Sequence, residues 1–307
     1  DFNKAQGTIV KISIGKNFVD NAKVGDEVEI ITNQTPFYAE SGGQVGDQGI
    51  IYSNECKVSI KDTQKKMGDL HVHLGTVEKG SLKINQSVNL EINVTKRNNT
   101  RAYHSATHLL HEALRRILGK HVTQKGSLVT PEKLRFDFSH SSPIEKNEIE
   151  KIEKYINSMV DTTSNVRTRI MTPKEAVKKG ALAMFGEKYG EEVRVLSIGK
   201  ENDSYFSTEL CGGTHVKNTK DIGRFKIINQ TSIAAGIRRV EALRGHQLED
   251  YEKLLKKDKS LKEEKLKDQI NLIKNELSKY KIKPDYQNDL ESSLIVNNLS
   301  KQLEKIK

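Results

Sequence analysis

Two short runs containing histidine, far apart in the sequence, constrain the fold of this 307-residue chain more than any other feature. His104 and His108 lie four residues apart within a helical pattern, so both imidazoles share one face of a helix. Cys211 and His215 flank two glycines, which helices disfavour, so this second pair belongs on a tight loop. One thiolate and three imidazoles suit Zn²⁺. A shared ion would require the fold to bring the distant loop onto the helix.

Each pair taken alone has an alternative explanation. Two histidines at this spacing on a helix are often buried polar side chains without a metal. A Cys-x3-His pair alone is even weaker evidence for a metal site. His111 follows His108 on nearly the same helical face, and it is either a partner of the ligands or, as we favour, a half-buried polar residue. Cys56 has no histidine near it in sequence and indicates a small core residue.

Charge and composition limit the setting in which the chain works. The net charge is +10, most of it on residues 1–245, which favours an anionic partner such as nucleic acid. The alternative is a lysine-rich composition without a nucleic-acid role. Two cysteines and no secretory segment predict a cytoplasmic protein. No apolar run approaches the ~20 residues of a membrane span. Asp1 in place of Met suggests a segment of a longer protein.

The pattern of apolar residues predicts an α+β protein in three parts. Residues 1–95 alternate short apolar runs with turn signals, which is typical of a small β-barrel-like domain. Residues 96–245 mix helices and strands and form the predicted α+β core that holds the zinc site. Its first helix is expected over residues 101–118, capped by Asn99 or Thr100. Residues 246–307 predict a coiled-coil-like helical hairpin leading toward a further domain, because apolar residues repeat there at heptad spacing.

Several longer motifs resemble those of the editing region of alanyl-tRNA synthetases, a superfamily that includes a related domain of threonyl-tRNA synthetases. The likeness covers about residues 1–245. The motifs that carry it are residues 37–44, 101–111, 121–127, 134–140, 185–189, 208–215 and 235–242. The glycine-rich stretch 42–44 and the run 235–239 favour the alanyl over the threonyl family.

The resemblance implies an aminoacyl-tRNA deacylase that removes serine or glycine from the acceptor end of tRNA(Ala). It also implies that His104, His108, Cys211 and His215 are the zinc ligands, and that the rest of the synthetase acts in cis. The aminoacylation domain is missing from this chain, so ATP-dependent activation of alanine is not expected of it. The alternatives are a free-standing trans-editing deacylase and a tRNA-binding module whose zinc is structural.

Ester hydrolysis needs a positioned water and a stabilised oxyanion, and the editing pocket must also recognise the serine hydroxyl. Zinc either lowers the pKa of a water or anchors the substrate amino group, and the sequence leaves both open. A site built to bond a hydroxyl rejects a substrate without it far better than an apolar pocket rejects an added one. Thr107 is the first candidate for that contact, unless it bonds its own helix backbone. Gln124 is the second, unless it is an ordinary surface glutamine.

Six further residues are predicted to contact substrate or tRNA. Gly42, Gly43 and Gln44 form either a glycine loop that approaches the tRNA end or a plain turn. A Gly-Gly-Gln tip also acts on peptidyl-tRNA in release factors, although nothing else here resembles one. Lys125 follows Gln124 and is placed to meet the terminal nucleotides. Arg238 and Arg239 point to opposite faces of a strand, so one can meet phosphate while the other pairs internally.

Overall fold

A computed structural model of the chain describes residues 2–182, 190–202, 204–286 and 291–305. The chain divides into two compact units, Asp1–Gln247 and Leu248–Lys307. The motif at residues 185–189 lies outside the described residues. In the described part, no helix combines the length and apolar character that a bilayer span requires.

The first unit begins with a closed antiparallel barrel. Its strands are β1 (Lys4–Ile14), β2 (Asn17–Val19), β3 (Asn21–Lys23), β4 (Glu27–Thr32), β5 (Gly49–Tyr52), β6 (Cys56–Lys66), β7 (Leu70–Lys83) and β8 (Ser87–Ile92). The order β1-β4-β7-β6-β5-β8 closes because β8 also pairs with β1. Closure leaves these six strands without an exposed edge. The alternating apolar residues fill the interior, and Cys56 is buried among them as predicted.

The rest of the first unit packs one long helix against two small sheets. The strands of the two sheets are β9 (Gln124–Val129), β10 (Leu134–Ser139), β11 (Arg167–Met171), β12 (Val193–Glu201), β13 (Ser204–Leu210), β14 (Phe225–Ala234) and β15 (Ile237–Arg244). Helix α1 (Val94–Leu118) lies beside the sheet β14-β15-β10-β9 and beside the sheet β11-β12-β13. Helices α2 (Lys146–Asp161) and α3 (Pro173–Lys178) and a 3-10 turn (Thr219–Ile222) complete it. The α+β prediction with an N-terminal barrel is confirmed.

Helix α1 is buried along most of its length, which explains its unusual composition. Alanines at positions 102, 106 and 113 are buried in the same core as Leu109 and Leu110. The predicted caps Asn99 and Thr100 are wrong, because the helix begins earlier: the side chain of Asn93 accepts a hydrogen bond from Lys96 N at 3.0 Å. The earlier start joins the helix directly to the last barrel strand.

The second unit contains most of helix α4 (Gly245–Lys279) and helix α5 (Ser292–Glu304). Ile270 and Leu277 of the predicted heptad stripe are buried in one cluster with Ile295 and Leu299. The stripe therefore serves packing within this unit. A coiled-coil-like hairpin over residues 246–307 remains a prediction, and residues 287–290 and 306–307 of that segment lie outside the described residues.

Candidate metal centre

The fold brings the two histidine-containing runs together. His104 and His108 lie one turn apart on α1 with their rings stacked, centroids 5.2 Å apart. Cys211 and His215 lie on the loop that follows β13. One donor atom from each of these four residues falls within 4.8 Å of all the others. The sulfur of Cys211 is 3.2 Å from Nε2 of His215 and 3.5 Å from Nε2 of His104.

One arginine ties the loop that carries Cys211 to β12, and one glycine lets this loop lie close to α1. Arg194 on β12 donates from Nη1 to the carbonyl oxygens of Cys211, at 3.0 Å, and Gly213, at 2.6 Å. A Cβ at Gly213 would lie 2.1 Å from Cε1 of His104. Only glycine therefore allows the loop to lie this close to the first imidazole.

Each of the three imidazoles uses Nδ1 for a protein partner and turns Nε2 toward the centre of the cluster. Oε1 of Gln44 lies 2.7 Å from Nδ1 of His104, and Oε2 of Glu209 lies 2.9 Å from Nδ1 of His108. Ser105 Oγ lies 3.2 Å from Nδ1 of His215. Hydrogen bonds of this kind are typical of metal-ligating histidines.

An unpaired nitrogen inside the cluster also indicates a cation site. Nε2 of His108 is buried and has no hydrogen-bond partner among the described residues. A buried nitrogen without a partner is costly, and a metal ion at the centre would satisfy it. The three imidazoles and one thiolate are the donor set expected for a tetrahedral site. These four residues could therefore hold a metal ion.

The electrostatics of the cluster favour the deprotonated thiolate. Burial raises the pKa of the Cys211 thiol, but His104 and His108 outweigh burial and hold that pKa well below its usual range. Burial lowers the pKa of His215 to about 3. Burial also opposes the charge of His108, yet Glu209 and Cys211 raise its pKa to about 10. A cation bound to the cluster would take the place of that proton between the two anions.

A cavity of about 330 Å³ opens beside the cluster. Its lining includes His104, His108 and Cys211 and the polar residues Tyr38, Thr107, Gln124 and Ser127. Thr107 is buried, and its hydroxyl donates to the carbonyl of Tyr103 at 2.9 Å. Gln124 is half-buried on β9 and donates from Nε2 to Ser127 Oγ at 3.2 Å. Both side chains predicted to act on substrate thus lie in the cavity that the cluster borders.

The glycine-rich stretch forms a tight turn docked on β9. Ser41 and Gln44 exchange backbone hydrogen bonds of 3.1 and 3.0 Å, and Gly42 and Gly43 have φ of 59° and 84°. Gly42 is exposed and lines the cavity. Gln44 is fully buried, and its amide bonds His104 and Thr214.

The predicted cations lie on the sheet formed by β9, β10 and β15. Lys125 is exposed. Arg238 is half-buried, with Nη2 3.4 Å from Gln230 Oε1. Arg239 pairs with Asp137 through two hydrogen bonds of 2.7 and 2.8 Å. Of the two arginines, Arg239 is thus the one paired internally.

Glu209 and Tyr38 are among the site residues that sequence reasoning missed, and it placed His111 wrongly. Glu209 is buried and bonds both His108 and, at 3.3 Å, His111. His111 is therefore buried beside the ligands rather than half-buried. Tyr38 reaches the cavity, and burial raises its pKa to about 12. The one signal for Glu209 in the sequence was its position two residues before Cys211.

The comparisons with known proteins agree with this architecture. Residues 1–96 match the family model of class II (A) tRNA synthetases. Residues 193–241, which include Glu209 and the Cys211 loop, match the threonyl and alanyl tRNA synthetase second additional domain. The fold and site thus define a segment of an aminoacyl-tRNA synthetase that carries this additional domain.

Relatives distinguish between the two synthetase types. Alanine–tRNA ligases of Parvibaculum lavamentivorans and Granulibacter bethesdensis are 51% and 49% identical over 84% of this chain. The ligase of Chelativorans sp. is 50% identical over 82% of it. The chain spans about 30% of the length of these relatives. The chain belongs to the alanyl-tRNA synthetase family and corresponds to one segment of it.

Proposed function

We propose that this chain is the editing part of an alanyl-tRNA synthetase and hydrolyses seryl- and glycyl-tRNA(Ala). The observation that carries the proposal is the four-donor cluster bordering a cavity with two polar side chains, Thr107 and Gln124. The acceptor end of tRNA(Ala) would enter this cavity, and the rest of the synthetase would act in cis. The names of the relatives support alanine as the cognate amino acid.

We propose zinc as the ion held by His104, His108, Cys211 and His215, because borderline-soft Zn²⁺ accepts thiolate and imidazole together. Zinc held there would supply a Lewis acid for ester hydrolysis. The chain's own residues fix its surroundings: Glu209 carries a compensating negative charge beside His108, and the three histidine donors are buried while Cys211 is half-buried.

The geometry suits Thr107 to a role in selecting serine. Its single hydroxyl proton is donated to Tyr103 O at 2.9 Å, so toward the cavity the oxygen acts as an acceptor. A serine hydroxyl can donate to it, whereas the methyl group of alanine cannot. The same bond is the backbone interaction that sequence reasoning named as the alternative role, and the two roles are compatible because they use different parts of the hydroxyl.

Gln124 and the nearby cations complete the proposed substrate contacts. The Gln124 amide lines the same cavity as Thr107 and would orient the attacking water or the ester. The exposed Gly42 at the tip of the turn, with Gly43 beside it, would lie against the terminal ribose. Lys125 and Arg238 would meet RNA phosphates, with Arg239 holding Asp137 beside them. Phosphate contacts of this kind weaken with added salt.

A deacylation assay with a matched cysteine control tests the function. The chain should release serine from seryl-tRNA(Ala) and spare alanyl-tRNA(Ala). Cys211→Ala should abolish the release while the fold persists. Cys56→Ala changes the second cysteine of the chain, which lies inside the barrel, and this variant should still release serine. Two results together would instead support a tRNA-binding module with structural zinc. The wild-type chain would bind tRNA without releasing serine, and the Cys211→Ala variant would unfold.

A further inference from the structure

We infer that Gln44, on the turn that projects from the barrel, is a positioning residue for the metal centre. Through its amide it holds His104 with Nε2 facing the Cys211 sulfur, so the barrel completes a site whose four donors all lie outside it. This inference rests on the proposed metal site. It assigns Gln44 a role in place of the direct RNA contact expected from the sequence.

The hydrogen-bond pattern around Gln44 fixes the orientation of its amide. The backbone N–H of Thr214 lies 2.9 Å from one amide atom. A backbone N–H only donates, so this atom must be the oxygen Oε1. The nitrogen Nε2 then donates to Thr214 Oγ1, also at 2.9 Å. The orientation therefore follows from the donors and acceptors present.

This orientation in turn fixes the tautomer of His104. Nδ1 of His104 lies 2.7 Å from the same Oε1, and an amide oxygen only accepts. Nδ1 must carry the proton, so in the neutral ring the lone pair lies on Nε2. That atom is 3.5 Å from the Cys211 sulfur and is the one aimed at the cluster. Gln44 thereby prepares His104 to bind a cation.

The backbone that carries Gln44 has little freedom to move. Val129 N donates to Gly43 O at 2.7 Å, and Val45 N donates to Val129 O at 3.1 Å. A Cβ at Gly43 would lie 2.1 Å from Ser127 Oγ. The turn is thus docked on β9 by backbone contact, which only glycine permits at this distance.

Burial separates this role from a direct RNA contact. Gln44 is 0% exposed, whereas Gly42 in the same turn is exposed. An RNA end meeting the turn would contact its glycine tip, and Gln44 would act through His104 and Thr214. The segment matched by the class II model and the segment matched by the additional-domain model are therefore joined through one side chain.

Metal affinity of the intact chain tests the inference. Gln44→Met keeps the size of the side chain and removes its hydrogen bonds. Competition with a chromophoric chelator should show Zn²⁺ binding weakened roughly 10–100-fold, and the visible spectrum of the Co²⁺-loaded protein should shift. Gln44→Glu retains an acceptor for His104 and should recover most of the affinity. Gln48→Ala is the matched control, because Gln48 lies on the same loop and bonds Lys96 instead.

Thermal unfolding with and without Zn²⁺ distinguishes positioning from a purely structural role. Gln44→Met should lower the Tm of the Zn²⁺-loaded protein more than that of the metal-free protein. The reason is that Zn²⁺ binds the variant more weakly and therefore stabilises its folded state less than it stabilises wild type. Equal losses in both forms, or a Zn²⁺ affinity within twofold of wild type, would overturn the inference. Neither measurement uses tRNA, so a failure of the proposed deacylation would leave this result intact.

Discussion

Gly213 lies so close to the ring of His104 that a Cβ at this position would be 2.1 Å from Cε1 and 2.4 Å from Nδ1. The same Cβ would be 3.0 Å from Oε1 of Gln44. The Cys-Gly-Gly-Thr-His loop therefore fits against helix α1 only where it lacks a side chain.

Gly213→Ala is expected to displace either His104 or the Cys211 loop. Zn²⁺ affinity, measured by chelator competition, should fall at least about tenfold, in line with the effect of disturbing a partner of a ligand. Gly212→Ala is the matched control, because a Cβ there meets nothing within 4 Å. Equal affinities for the two variants would contradict the close contact seen here.

Thr107→Val should reduce the discrimination between serine and alanine. The variant keeps the shape of the side chain but has no oxygen to accept from the serine hydroxyl, and one lost hydrogen bond is worth about 1 kcal/mol or more. We expect seryl-tRNA(Ala) hydrolysis to slow by roughly tenfold while the alanyl-tRNA(Ala) rate stays low. Thr107→Ser, which retains the oxygen, should preserve the ratio. An unchanged ratio in the valine variant would remove Thr107 from the proposed pocket contacts.

Asp47→Asn should destabilise the first unit strongly. Arg97 on α1 donates from Nε to both carboxylate oxygens of Asp47, at 2.7 and 2.8 Å, and both side chains are buried. Removing one charge leaves the other buried without a counterion, at a cost of about 3–5 kcal/mol. Chemical denaturation measures the loss. Glu29→Gln, at the exposed pair with Lys66, is the control and should cost under about 1 kcal/mol. Similar losses of stability in the Asp47→Asn and Glu29→Gln variants would contradict a buried ion pair at Asp47.

Protonation of His73 should lower the stability of the barrel in mild acid. Burial lowers the pKa of His73 from 6.5 to about 4, so the folded state binds its proton less readily than the unfolded state. The stability contributed by neutral His73 is complete above pH 6.5 and is lost as the pH falls toward 4. At about 1.4 kcal/mol per pKa unit the loss is roughly 3 kcal/mol.

The free energy of unfolding, measured against pH for wild type and His73→Gln, checks this expectation. The variant lacks the titrating ring, so its curve should fall less steeply between pH 6.5 and 4. Parallel curves would show that other groups cause the acid sensitivity.

The sequence by itself determined the parts of this protein whose information is local. Period-two alternation gave the barrel strands, because a half-buried strand must place every second side chain inside. The spacing of His104 and His108 gave a shared helical face, and the glycines beside Cys211 gave a loop. The missed start of α1 shows the limit of this reasoning, since Asn93 caps the helix only because the preceding barrel strand ends there.

Only the tertiary structure decided which residues surround the four donors. Glu209, Ser105 and Gln44 come from a strand, a helix and a barrel turn, and each bonds an imidazole 60 or more residues away in the sequence. The same holds for Arg239, whose partner Asp137 lies on the adjacent strand. Local pattern predicts the direction of a side chain within its own element. Hydrogen-bond partners depend on how elements pack, and packing arises from contacts distant in sequence.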